Sequence, residues 1–155
     1  MDPEVDRYLL DINVNERTIS HRIAIHLENL IAGWNEEWHV DCEYNRDVNA
    51  NNEPYSKNII PGGVPGEPGY DDADATTCYP DIIIHRRGTG TNLLAIEIKK
   101  SSSAINGDFD REIKLPAYRN QLNYQYTCFI LVGVGEDIRD TAHEWIPDPQ
   151  PVNAV

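Results

Sequence analysis

YPDIIIHRRGTGTNLLAIEIKK, residues 79–100, decides how the rest of the chain is read. Two Ile-rich runs flank Gly-Thr-Gly-Thr at 88–91, the pattern of two strands joined by a hairpin turn. Pro80 suits the first position of a strand. Both runs carry charge where burial is expected: Asp81 heads the first, and Glu97 and Lys99 interrupt the second. Successive side chains of a strand face opposite sides. Glu97 and Lys99 therefore share a face with Leu93 and Ala95, while Ile96, Ile98 and Lys100 take the other. An antiparallel return brings Asp81 close to Glu97 and Lys99, so two carboxylates and an ammonium are predicted to converge.

Upstream, NERTISHRIAIHLENLIAG (15–33) spaces Ile19, Ile23, Leu27 and Leu30 as one stripe of an amphipathic helix closed by Gly33. Glu16 falls on that stripe at the first turn, where an acidic residue is also favoured by the helix dipole alone. WHVDCEYN (38–45) alternates Trp38, Val40 and Cys42 with His39, Asp41 and Glu43, as a half-buried strand does. Residues 46–79, rich in Asn, Gly, Pro and Asp and without period, read as one long flexible loop. Within it Asp71, Asp72 and Asp74 lack the spacing of a calcium loop.

Downstream, Phe109–Tyr124 read as a second helix begun by Asp108, with Ile113, Ala117, Asn120, Gln121 and Tyr124 along one side. Pro116 there demands a kink or a late start. TCFILVGVG (127–135) has the unbroken apolar character of a central strand, and HEWI (143–146) suits a short edge strand. The order helix, three strands, helix, strand predicts an α/β fold, a mixed four- to five-stranded sheet flanked by helices. Residues 1–150 are expected to form a single domain, with 151–155 a disordered tail.

The 155 residues carry 26 Asp and Glu against 13 Lys and Arg, a net charge of -13, and 40% of them are hydrophobic. No apolar run approaches the roughly 18 residues of a membrane span, and MDPEVDRYLLD lacks the features of a secretory signal. Cys42, Cys78 and Cys128, without CxxC spacing, suit buried thiols in a reducing compartment, so a cytoplasmic protein without a membrane partner is expected. The negative charge disfavours polyanions, yet its distribution is uneven. Acids outnumber bases 16 to 5 over residues 1–79 and 5 to 1 over 129–155, but bases lead 7 to 5 over 80–128. Arg86, Arg87, Lys100, Arg111, Lys114 and Arg119 are the candidates to receive a polyanion; a solvated charged face is the simpler reading of composition alone. The five His show no zinc spacing and suit surface or cap roles, and GxSxG, P-loop and Rossmann fingerprints are absent. Trp34, Trp38 and Trp145 read as core or rim aromatics.

Three carboxylates, Glu16, Asp81 and Glu97, gathered near one lysine would raise one another's pKa unless a cation compensates. Hard oxygen donors favour magnesium or manganese. An exposed Glu97–Lys99 pair is the plain alternative. Pro80-Asp81 followed by Glu97-Ile98-Lys99 resembles the PD-(D/E)XK nuclease superfamily, whose restriction-endonuclease-like core has the same element order over roughly residues 16–134. That resemblance implies an Mg2+-dependent nuclease, with Mn2+ as substitute, hydrolysing phosphodiester bonds of DNA in defence, repair or mobile-element processing.

It further implies Asp81, Glu97, the Ile98 carbonyl and, through water, Glu16 as metal ligands, and Lys99 as the catalytic lysine beside them. Lys114, Tyr118 and Gln121 become the substrate-binding residues of the second helix. The QxxxY pattern of the RecB-like branch is absent, Gln125 standing four residues after Gln121. The acidic surface also departs from most nucleases. Two alternatives accompany this expectation: a catalytically silent nuclease-fold protein that binds a protein partner through its acidic surface, and an RNA-directed nuclease. Cutting two strands would suit a homodimer.

Overall fold

The computed structural model describes residues 5–34, 37–63 and 75–147. Helices α1 (Val5–Asp11) and α2 (Glu16–Ile31) lead into strand β1 (His39–Cys42). Four short strands follow: β2 (Arg46–Val48), β3 (Pro54–Ser56), β4 (Asn58–Ile59) and β5 (Thr76–Thr77). Then come β6 (Ile82–His85), β7 (Asn92–Lys100), α3 (Leu115–Leu122), β8 (Tyr126–Val132) and β9 (Ala142–Trp145). Five strands form one mixed sheet in the order β1-β6-β7-β8-β9, antiparallel throughout except for the parallel β7–β8 pair. Joining parallel neighbours requires a crossover, and α3 supplies it. The main sequence of α2, β1, β6, β7, α3 and β8 meets the expected element order.

β6 and β7 form the anticipated hairpin, Ile82 opposite Ile96 and Ile83 opposite Ala95. Gly88, in the turn, takes a φ of 73°, a conformation glycine adopts without steric cost. All four residues of β6 are buried because helices cover both faces. Ile82, Ile84, Ile96 and Ile98 pack with Ile19, Ala24 and Ile31 of α2. Ile83 and Ala95 pack with Leu115, Tyr118 and Leu122 of α3 on the other side. Glu97 lies on the α3 side with Ala95, as alternation requires.

α2 begins where expected, its N-cap Asn15 accepting from the Thr18 backbone N–H at 2.9 Å. Its buried face is rotated from the expected stripe: Ile19, Ser20, Ala24 and Ile31 are buried, Ile23 and Leu27 half-buried, and Leu30 is 72% exposed. Ile19, Ile23 and Leu27 of the stripe do pack on the core, joined by small Ser20 and Ala24, while Ile31 rather than Leu30 turns inward at the end of the helix. α1 was not anticipated. It is fastened to α2 by the buried Asp6, whose Oδ1 accepts from Arg22 Nε at 2.7 Å and whose Oδ2 lies 2.9 Å from His26 Nε2. Hydrogen bonds from Arg22 and His26 hold that carboxyl down at about 2.

The described parts of residues 46–79 include short strands rather than loop alone. β2 pairs with β3 and β4 with β5, both antiparallel, and Ile59, Ile60 and Cys78 are buried. Strands of two or three residues are too short to display a period, which is why composition alone suggests a loop. The buried Lys57 anchors this arm, its Nζ 2.5 Å from Tyr124 Oη, and burial draws its ammonium down to about 8. Asp71, Asp72, Asp74 and the tail 151–155 lie outside the described residues.

The second helix starts at Asp108, as expected, but ends at Leu122. A π-helical turn spans Asp110–Lys114, and Pro116 follows it directly in the first turn of α3. The wider turn shifts the buried face to Leu115, Ala117, Tyr118 and Leu122, leaving Asn120 exposed and Ile113 half-buried. Cys78 and Cys128 are buried thiols as anticipated, whereas Cys42, at the end of an edge strand, is exposed. His85 is also buried rather than superficial. Among the described residues no helix is long and apolar enough to cross a membrane.

Gly133, just past β8, packs so closely on the Asp137 backbone carbonyl that a Cβ would overlap it. Gly133→Ala is expected to lower stability by about 1–3 kcal/mol, read from the urea midpoint at unchanged slope.

Candidate active site

β6 begins at Ile82, opposite Ile96, so Asp81 stands just before the ladder's first pair. Its Oδ2 accepts the Ile98 backbone N–H at 2.7 Å. Glu97, next along β7, is only 1% exposed. Its Oε1 accepts from Tyr118 Oη at 2.7 Å and its Oε2 from Lys114 Nζ at 3.0 Å. Lys114 also pairs with Asp110 Oδ1 at 2.9 Å, one helical turn earlier. Lys99 Nζ lies between two carboxylates, 3.4 Å from Asp110 Oδ2 and 3.8 Å from Glu16 Oε1. Glu16 in turn accepts the Lys100 backbone N–H at 3.0 Å.

Glu16, Lys99 and Glu97, from α2 and the end of β7, thus join one charged network through Asp110 and Lys114 of the second helix, with Tyr118 on Glu97 and Asp81 beside it on the Ile98 backbone N–H. Asp110 is the member that sequence reasoning missed. It stands among Asp108 and Glu112 in an acidic helix start, but its spacing of four from Lys114 and eight from Tyr118 is a signal that could have found it. Gln121 does not join. Its Oε1 accepts from Ile60 N at 2.8 Å and its Nε2 donates to Ile60 O and Gly63 O at 2.9 and 2.8 Å, clamping the arm that ends at β5. Tyr118 is fully buried, so it steadies Glu97 rather than facing an incoming molecule.

Charge here is held against a strong burial cost. Burial first, then the charge of Asp81, pushes Glu97 up to about 7 despite the opposing pull of Lys114 and Tyr118. Burial likewise raises Asp81, against the Ile98 N–H and the two lysines. Burial would lower Lys114, but Glu97 and Asp110 outweigh it and raise its pKa, so it stays an ammonium at neutral pH. The Tyr118 hydroxyl is raised by burial and the adjacent Glu97, which keeps it a donor.

The expected three-carboxylate metal cluster is not assembled: among the described residues no group of three or more His, Cys, Asp or Glu side chains is placed to hold a metal ion. Two ammonium groups lie among the acids instead, and Glu16 is turned to the β7 backbone. The donor chemistry of the remaining pair nevertheless fits a hard divalent ion, since Asp81 and Glu97 are carboxylates whose mutual repulsion a cation would relieve.

The basic segment forms no collected patch. Arg87 forks onto Asp41 at 2.8 and 2.5 Å, Lys100 Nζ is bound to Asn13 Oδ1 and Val14 O at 2.9 and 2.8 Å, and Arg86 stacks on Trp38. Arg111 pairs with Asp108 and Glu144, and Arg119 donates to Gln125 O at 3.1 Å. A cavity of about 460 Å³ beside the 54–63 arm, lined in part by Gln121, and another of about 250 Å³ at β9 include no member of the network. Comparison with family models, curated proteins and solved structures returns no significant match.

Because Glu97 binds its proton more tightly folded than unfolded, its contribution to stability is fully present below about pH 4.5 and is lost as pH rises through about 7. Glu97→Gln, which carries no charge, should flatten that part of the stability profile, measured as urea midpoints from pH 4.5 to 8.

Proposed function

We propose that this chain is a metal-dependent nuclease of the PD-(D/E)XK type, with a restriction-endonuclease-like core, hydrolysing phosphodiester bonds of DNA. The observation that carries the reading is that Asp81 is bonded to the Ile98 backbone N–H, between Glu97 and Lys99 on β7, near enough for its charge to act on Glu97, with Glu16 reaching the same strand from α2. Chance placement of an ordinary surface Glu-x-Lys would leave Glu97 in solvent, whereas it is 1% exposed and bonded through both oxygens.

Asp81, Glu97 and the Ile98 carbonyl would hold magnesium or manganese. Such an ion, when bound, supplies Lewis-acid polarisation of the phosphate and a water of lowered pKa. The chain's own groups do the rest. Tyr118 fixes the plane of the Glu97 carboxylate through its 2.7 Å hydrogen bond, and the Ile98 N–H does the same for Asp81. The Lys99 ammonium is held loosely by Asp110 and Glu16, so it can turn to orient the attacking water and offset charge on the phosphate oxygens. Glu16 positions Lys99 and the last residues of β7 together.

A second reading is favoured by the charges. With a net charge of -13 and the middle-segment cations engaged within the chain, a nuclease-fold protein that docks a basic protein partner on its acidic surface fits the electrostatics better than a DNA groove does. The two are separated by incubating the protein with plasmid, single-stranded DNA and RNA in Mg2+, Mn2+ or EDTA. Metal-dependent DNA cutting that falls at least about a hundredfold in both Asp81→Ala and Lys99→Ala is expected. Cutting of RNA alone would redirect the substrate, and no cutting by folded protein would overturn the nuclease in favour of the binding protein.

A further inference from the structure

Both Glu97 oxygens already have protein donors, Tyr118 Oη at 2.7 Å and Lys114 Nζ at 3.0 Å. A divalent cation on this carboxylate, which is the nuclease reading and the premise of this inference, would face the Lys114 ammonium across a side chain that is itself only 1% exposed. Like charges so placed repel strongly. Of the two donors only one can leave. Tyr118 is fully buried between Leu115, Leu122 and the sheet, and its ring has no other place to go. Lys114 has a flexible stem, a side chain 24% exposed and a second acceptor, Asp110 Oδ1, already at 2.9 Å. The π-helical turn from Asp110 to Lys114 keeps that acceptor within reach of the ammonium.

We propose that Lys114 is the resident counter-ion of the Glu97 pocket and gives way to the divalent cation by shifting onto Asp110. Asp110 and Lys114 are then positioning residues that set how tightly the site takes its metal. Asp110 also holds Lys99 at 3.4 Å, so a Lys114 drawn fully onto Asp110 loosens Lys99 as the cation arrives. The feature that distinguishes this role from simple packing is its sign: deleting the lysine charge strengthens cation binding rather than weakening it.

The test is calorimetric titration of Mn2+ into the EDTA-stripped full chain, as wild type, Lys114→Met, Lys114→Arg, Asp110→Asn and the Lys114→Met/Asp110→Asn double variant. Thermal melting in EDTA reports that each is folded. Lys114→Met is expected to bind Mn2+ about tenfold tighter or more, Lys114→Arg to stay near wild type, and Asp110→Asn to bind several-fold more weakly. In the Lys114→Met background Asp110→Asn should have no further effect, because it acts only through the lysine. Wild type that binds Mn2+ with Lys114→Met no tighter overturns the counter-ion role and leaves the nuclease reading standing. Mn2+ binding by no variant overturns both. Should Lys114→Met fail to fold, Asp110→Asn decides, and an unchanged affinity there overturns the proposal.

Discussion

Glu97 brings a carboxylate into the middle of the central sheet, where an unpaired charge would cost several kcal/mol. Much around it can be understood as compensation. Tyr118 and Lys114 reach it from one side of the second helix, and Asp110 keeps Lys114 in place. A straight α-helix would let positions 110, 114 and 118 drift around the axis; the π-helical turn keeps them facing the strand and at the same time admits Pro116. The helix that crosses between β7 and β8 is thus seated by polar contacts at one end and by Leu115, Leu122 and Phe129 at the other.

The same device recurs at the other junctions. Asp6 ties α1 to α2 through Arg22 and His26, and Asp41 ties β1 to the far end of the hairpin through His85 and Arg87. Asn92 Nδ2 joins the β2 arm to α3 by donating to Asp47 and to the Leu122 carbonyl. A chain with 26 acids would suffer strong self-repulsion if all were superficial; several are instead drawn inward and neutralised locally. This also explains in part why a basic middle segment collects no basic patch, since its Arg87, Lys99, Arg111 and Lys114 are partners of acids.

The hairpin was legible because its Ile runs, its Gly-rich turn and its two misplaced charges are all local signals. Strand alternation alone placed Glu97 on one face with Ala95, and helical period alone brought Glu16 to the site. The π-helical turn was not legible, because nothing in residues 110–114 distinguishes i+5 from i+4 bonding, and so the roles of Asp110 and the buried face of α3 were misjudged. α1 and the strands of the 46–79 arm escaped notice for a related reason: each depends on one distant partner, Arg22 for Asp6 and Tyr124 for Lys57, rather than on a repeating pattern.

The outermost strands bear on self-assembly. β1 and β9 are four residues each, and β9 shows His143 and Glu144 to solvent at its exposed side. A second copy adding to either rim would gain few backbone hydrogen bonds and, at β9, would bring one copy's Glu144 toward another's in a chain that is already strongly anionic. The ends of the sheet are therefore poor templates for fibril growth, and the chain can keep an Ile-rich centre without becoming adhesive.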